Sequence, residues 1–258
     1  MAHKFYFPTK DAWISSGSDE STNFGGDEIL ELKKSFDPSM YLQTSSRILV
    51  QFDYSDISKS VHSWHTDQTS GSFPNHASYS LKLYEAEASE LTAEYTIMAH
   101  SISESWDEGV GKFGDDPPTT SSVSWKYQET HVSWSNPFDT STGYNSASDA
   151  TGADFGGSGS NYLTGSGLFE GSQSFSYESP DINMNITDIV SASVADVGKS
   201  AGGANGPHHP NHGMMLKFSG SQEINGFESN NMIGDGTTPN TITTANLKFF
   251  SRNTHTIY

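Results

Sequence analysis

The chain has no cysteine. That excludes disulfide stapling and thiolate metal sites and leaves the redox compartment open. Cations are scarce too: 13 Lys and Arg stand against 31 Asp and Glu in 258 residues, a formal charge of 13 − 31 = −18. A surface of that sign repels phosphate backbones, so nucleic acid is not an expected partner. No apolar run approaches the roughly 18 residues that span a bilayer, which argues against membrane insertion. The opening stretch, Met1 to Pro8, has no apolar segment of signal-peptide length. Leu, Ile, Val and Phe together make 47 residues, below the share of roughly 20% that, at high net charge, accompanies disorder.

What is present points the other way. The chain holds 15 Phe, 11 Tyr and 5 Trp beside 42 Ser, 22 Thr and 24 Gly, and each large ring buries roughly 150–250 Å². Short β-type runs recur between turn clusters. Residues 78–85 alternate, with Tyr79, Leu81 and Leu83 on one face and Ser80, Lys82 and Tyr84 on the other. Residues 47–52, Arg-Ile-Leu-Val-Gln-Phe, read as a core strand. Further strands are expected near 4–7, 12–15, 28–32, 94–102, 123–134, 174–178, 214–218, 223–227 and 246–251. Thr187 to Val197 is the best helical segment, one to three turns long. The expectation is an all-β, single antiparallel β-sandwich, jelly-roll-like, formed by residues 1–258 as one domain.

Three long turn-rich insertions interrupt the pattern at about 62–76, 136–171 and 199–213. Loops of that length inside a compact domain are usually functional or disordered. Trp64, Trp134, Tyr144, Phe155 and Tyr162 lie in or beside the first two. Rings in such places stack on sugars, contact a partner, or pack under their own loops.

Other motifs carry groups with chemical potential. His208, His209 and His212 form the densest imidazole cluster and have the donors for a zinc, copper or nickel ion, although Pro210 prevents a helical presentation. Asp107, Glu108, Asp115 and Asp116, among Gly109, Gly111 and Gly114, carry oxygen donors for a structural calcium, and Asp149 and Asp154 form a similar set; neither follows EF-hand spacing. The run Gly198 to Gly202 matches a nucleophile elbow without the strand–turn–helix context that motif needs. Pairs such as Glu104 with Glu108 arise readily among 31 acids and do not define a hydrolase. No enzyme and no required cofactor are expected.

Several pieces line up in order along the chain. They are Pro8-Thr9-Lys10-Asp11-Ala12, Asn23-Phe24-Gly25, Arg47 to Asp53 followed by Ile57, the strand ending Leu81-Lys82-Leu83-Tyr84, Trp106-Asp107-Glu108, Val123-Ser124-Trp125, Gly213 to Leu216, and Leu247 to Arg252. In this the chain resembles the disaggregatase-related, DNRLRE-type β-sandwich domain, a group that includes carbohydrate-binding modules and many surface and phage proteins. Arg47 opening a buried strand is expected to pair with Asp53 or a neighbouring acid. Trp106 and Trp125 are expected to close one end of the sandwich, with Glu108 accepting an indole or backbone N–H. The family pattern runs past Ser251-Arg252 into a short Pro-containing loop and a last strand, so the expectation is either an open sheet edge for a partner to pair with or a sequence shorter than the gene product.

The stretch Phe7-Pro8-Thr9-Lys10-Asp11-Ala12, followed by Asp27-Glu28-Ile29-Leu30-Glu31, further resembles structural proteins of contractile-tailed marine phages. The resemblance implies a non-enzymatic virion structural protein of a tailed phage, located in the virion on the head, neck or tail. Its partners would be other virion proteins and copies of itself, met through loops and edge strands. The alternative is a carbohydrate-binding module or host-adhesion domain recognising surface polysaccharide.

Overall fold

A computed structural model describes residues 3–37, 42–65, 77–89, 94–134, 159, 162–163, 170–176, 181–195, 211–219, 223 and 245–254. Twelve strands and two helices are defined. They run β1 (Lys10–Ser15), β2 (Ile29–Asp37), β3 (Leu42–Gln51), α1 (Tyr54–His65), β4 (Ser80–Leu83), β5 (Glu85–Ser89), β6 (Glu94–Ser101), β7 (Tyr127–Glu129), β8 (Val132–Ser133), β9 (Glu170–Ser176), β10 (Ile182–Asn185), α2 (Thr187–Ala195), β11 (Met214–Phe218) and β12 (Ala245–Phe250). Eight strands form one antiparallel sheet in the order β5-β12-β2-β3-β11-β6-β9, with β1 added against β3. The sheet curls into a half-barrel, and the all-β, sandwich-like expectation holds.

The curl originates in β3. Its first residues, Leu42–Ser45, pair with β2, and its later residues, Ser46–Gln51, pair with β1. The opposite edge of Ile48–Val50 pairs with β11. Successive residues of β3 and β11 are buried, so both faces of these strands are covered, and alternation sorts their side chains into two cores. Ile48, Val50, Leu216 and Phe218 enter the larger core with Ile97, Leu247, Phe249 and residues of both helices. Leu49 and Met215 enter a second core with Ala12, Ile14, Ile102, Trp106, Val123, Trp125, Trp134 and Tyr162.

Helix α2 lies where the sequence places it. Helix α1 does not appear in the sequence expectations, and its last turn occupies the start of the expected 62–76 insertion. Tyr54 and Ile57 are buried in the larger core. Asp53 caps the helix: its Oδ1 accepts the N–H groups of Ser55 at 2.9 Å and Asp56 at 3.2 Å. The hydroxyl of Ser55, then the Asp56 N–H, hold this carboxyl below its ordinary value. Asp53→Ala is expected to cost about 1 kcal/mol at neutral pH. A carboxyl lowered by folding contributes above its unfolded pKa and stops contributing as pH falls through the folded value. The difference between the two proteins in urea unfolding should therefore close below about pH 4.

Other differences have local causes. The expected 78–85 strand is split at Tyr84, because β4 pairs with β10 whereas β5 turns to pair with β12. The expected 123–134 strand is mostly loop with a small β7–β8 hairpin, turning at His131 with φ 61°. Residues 4–7 are not a strand, and Glu223 lies outside one.

Candidate functional site

Asn23 organises one end of the half-barrel. It is fully buried, and its Nδ2 donates to the carbonyls of Glu108 at 2.8 Å and Val123 at 2.7 Å. Its Oδ1 accepts from Gly111 N at 2.9 Å, and its own N–H donates to the Thr119 carbonyl at 2.8 Å. One amide thus joins the turn before β2 to the 107–123 loop, each hydrogen bond meeting a backbone group that burial would otherwise leave unsatisfied. Gly25 seals the contact. A Cβ there would lie 1.7 Å from the Glu108 carbonyl oxygen, so no larger residue fits.

The end of the chain's described portion completes the site. Ser251 N and Thr254 Oγ1 both donate to the Glu28 carbonyl, which brings residues 251–254 over the start of β2. Asn253 Nδ2 donates to the Gly25 carbonyl at 3.1 Å. Between these segments lies a cleft of about 410 Å³ lined by Gly25, Gly26, Glu108, Gly109, Val110, Lys112, Arg252 and Asn253. That volume falls within the roughly 300–1,000 Å³ of small-molecule sites.

A forked ion pair occupies one wall. Arg252 donates from Nε to Glu108 Oε1 at 3.0 Å and from Nη2 to Oε2 at 2.5 Å. Glu108 Oε1 also accepts the Asp11 N–H at 2.8 Å. Behind the pair, buried Asp11 accepts from Ser251 Oγ at 3.0 Å and Arg252 N at 2.7 Å. Burial pushes the Asp11 carboxyl up, with a smaller push from Glu108, against the lowering effect of these bonds.

The neighbouring rim is apolar. Six large apolar residues are exposed among the described residues, and two of them, Val110 at 78% and Phe113 at 71%, lie on this loop. The Phe113 ring sits 6.3 Å from Trp13 and 6.5 Å from Phe24, which stack on each other at 3.9 Å. Asp27 Oδ2 accepts from both Trp13 Nε1 and Phe113 N at 3.2 Å, fixing the turn that presents the ring.

The residues singled out from the sequence fall elsewhere or take other partners. Arg47 does not meet Asp53, which caps α1. It instead donates to Glu223, from Nε at 2.8 Å and from Nη2 at 3.1 Å, in a buried cluster. Lys217 Nζ lies 2.7 Å from the same carboxylate and donates to Tyr162 OH at 3.0 Å. Arg47 also lies over the rings of Trp125 and Tyr162. Trp134 and Tyr162 are corrected as exposed contact rings: each is only 4% accessible and belongs to the second core. Trp134 is held there by its indole, which donates to the Ser124 carbonyl at 3.0 Å.

Trp106 and Trp125 are buried in the same core, and Trp106 donates to the His212 carbonyl at 2.7 Å rather than to Glu108. Trp64 lies in α1. Tyr144, Phe155, His208, His209, Asp149, Asp154 and the run Gly198 to Gly202 lie outside the described residues. Asp107 accepts from Ser122 Oγ, and Asp115 from Lys112 N and Thr119 Oγ1, so these carboxylates brace their own loop. No group of three or more metal-ligating side chains occurs among the described residues.

Residues 2–141, more than half of the chain, match carbohydrate-binding module family 96, and the protein belongs to that family. No curated protein matches the sequence. The matched stretch supplies β1 to β8 and most of the cleft, while Arg252 and Asn253 come from beyond it.

Proposed function

We propose that the protein is a non-catalytic carbohydrate-binding module whose glycan site is the cleft between Gly25 and Arg252. The carrying observation, within a member of a carbohydrate-binding family, is the exposed Phe113 ring on the same loop whose Glu108, Gly109, Val110 and Lys112 line a polar cleft. An apolar ring face covers the C–H face of a pyranose, while fixed polar groups take its hydroxyls. Here Glu108 and Asn253 supply acceptors, and Arg252, Lys112 and Asn253 supply donors.

Phe113→Ala is expected to weaken glycan binding about tenfold, the order of one stacked ring, with the melting temperature nearly unchanged. Calorimetric titration against the polysaccharides that retain the unaltered chain checks this. Equal affinity of the variant would move the site elsewhere, and failure of the unaltered chain to bind any polysaccharide would remove the reading.

The virion setting, with other virion proteins and further copies as partners, is supported by the sequence resemblance alone. Mass spectrometry of purified particles tests it: the chain's presence there supports that setting and its absence opposes it.

A further inference from the structure

We propose that Asp11 is the positioning residue of the cleft: from β1 it holds Glu108 and Arg252 as one fixed pair, so that glycan affinity depends on a carboxylate behind the lining. The inference rests on the cleft being the carbohydrate site and concerns what sets its geometry.

Asp11 grips both members of the pair. Its backbone N–H donates to Glu108 Oε1 at 2.8 Å, and its Oδ2 accepts the Arg252 N–H at 2.7 Å. Its Oδ1 accepts from Ser251 Oγ at 3.0 Å and stands 3.8 Å from Arg252 Nε. The bonds from this segment to the Glu28 and Gly25 carbonyls start from Ser251, Asn253 and Thr254. Among the described residues, the bond to Asp11 is thus the one that fixes the backbone N–H of Arg252 itself.

Burial separates this role from ligand contact. Asp11 is 2% accessible and stands outside the lining, whereas the Arg252 side chain is 34% accessible and belongs to it. A long charged side chain on an unfixed backbone would have to be ordered as the ligand binds, and that ordering weakens affinity. Asp11 removes the cost beforehand. The support is a strand: Asp11 pairs with Val50 of β3, and sites seated on strands are more precise than sites on loops.

The same strand sets the apolar rim. Alternation puts Trp13 on the face of Asp11, opposite to Ala12 and Ile14 of the second core. Trp13 Nε1 donates to Asp27 Oδ2, the atom that also accepts the Phe113 N–H. Between them in space, Lys10 Nζ donates to the Trp106 carbonyl at 2.8 Å and ties the start of the 107–123 loop to β1. Asp11 and Trp13, two residues apart on one strand, therefore fix the polar wall and the aromatic rim relative to each other.

The test is migration of the full chain through native gels, each cast with one polymer: xylan, galactomannan, a β-glucan, alginate or polygalacturonate. Asp11→Asn, Arg252→Gln and the double variant are run against every polymer that retards the unaltered chain. Asp11→Asn keeps one acceptor oxygen and sets an NH₂ group against the second donor. It should bind about tenfold more weakly, and a single cooperative melting transition shows that it is folded. On the Arg252→Gln background the same substitution should cost nothing further, because Asp11 acts through Arg252. In ¹⁵N spectra the Arg252 Nε–H resonance should move toward that of a free guanidinium in Asp11→Asn. Ser251→Ala keeps the carboxylate and removes one of its donors, so it covers the case of an Asp11 variant that does not fold; it should bind about threefold more weakly. Unchanged affinity of the folded variant, an equal loss on both backgrounds, or an unmoved Arg252 resonance overturns the proposal and leaves the cleft reading in place. No retardation of the unaltered chain in any gel overturns the carbohydrate reading itself, and this proposal with it.

Discussion

Glu223→Gln is expected to lower the unfolding free energy by about 3–5 kcal/mol, because it removes the anion from a buried cluster of two cations. Arg47, Lys217 and Glu223 are all buried, on β3, β11 and the segment after β11. In water each cation keeps its hydration. Here both meet the Glu223 carboxylate, at 2.8 Å from Arg47 Nε and 2.7 Å from Lys217 Nζ. A neutral amide leaves two desolvated cations facing each other, whereas loss of an exposed ion pair would cost no more than about 1 kcal/mol. Urea unfolding followed by tryptophan fluorescence separates the cases, and an unshifted midpoint would show the cluster to be screened.

The same cluster gives the protein an acid limit. Burial alone would raise the Glu223 carboxyl, but Arg47 and Lys217 outweigh it and hold the group ionised below its ordinary range. His100, its ring tilted at 45° to that of Tyr162 with centroids 4.7 Å apart, is lowered from 6.5 to about 4, first by burial and then by Lys217 and Arg47. A base lowered by folding stays neutral in the fold while the unfolded chain takes up its proton. Stability therefore falls as pH drops from about 6.5 to about 4, and the loss from Glu223 follows at lower pH. A melting temperature that does not decline across that window would contradict this assignment.

A fragment ending at residue 141, the limit of the family match, is expected not to fold at all. The sheet does not divide there. Strand β11 lies between β3 and β6, and β12 between β5 and β2, so the cut removes two interior strands together with β9, β10 and α2. Leu216, Phe218, Leu247 and Phe249 leave the larger core, and Met215 leaves the second. Each lost side chain of this size forfeits roughly 1.5–3 kcal/mol of burial, against a total stability of about 5–15 kcal/mol for a whole domain. The exposed edges of β3 and β2 would also invite aggregation. Proton–nitrogen correlation spectra check this: collapsed amide dispersion is expected, and a dispersed spectrum from the fragment would show an autonomous module.

The central strands were legible because their composition carries the signal. Arg47 to Phe52 and Met214 to Phe218 are the densest apolar runs in an aliphatic-poor chain, and both are interior strands. Helix α1 was missed although Tyr54, Ile57, Val61 and Trp64 follow a helical spacing behind Asp53. From residue 62 onward the Ser, His and Gly residues read as a turn-rich insertion, which hides the second half of that pattern. Trp134 and Tyr162 misled for the opposite reason: rings beside long loops look available for contact, yet both are buried members of the second core.

The cleft shows what a linear reading loses. In the sequence Asn23-Phe24-Gly25, Glu108 and Arg252 are three separate pieces of the family resemblance. Their association depends on residues 251–254 hydrogen-bonding to Glu28, a contact across more than two hundred positions. Phe113 carried no sequence signal, since its exposure is a property of the Asp27-braced turn.

The most direct test is amide shift mapping of the ¹⁵N-labelled full chain titrated with an oligosaccharide cut from a polysaccharide that retains it. The account predicts perturbations grouped at Gly25, Gly26, Gly109, Lys112, Phe113, Arg252 and Asn253, with the β5 and β9 edges silent. Saturable binding whose perturbations fall away from these residues would contradict the assignment of the site.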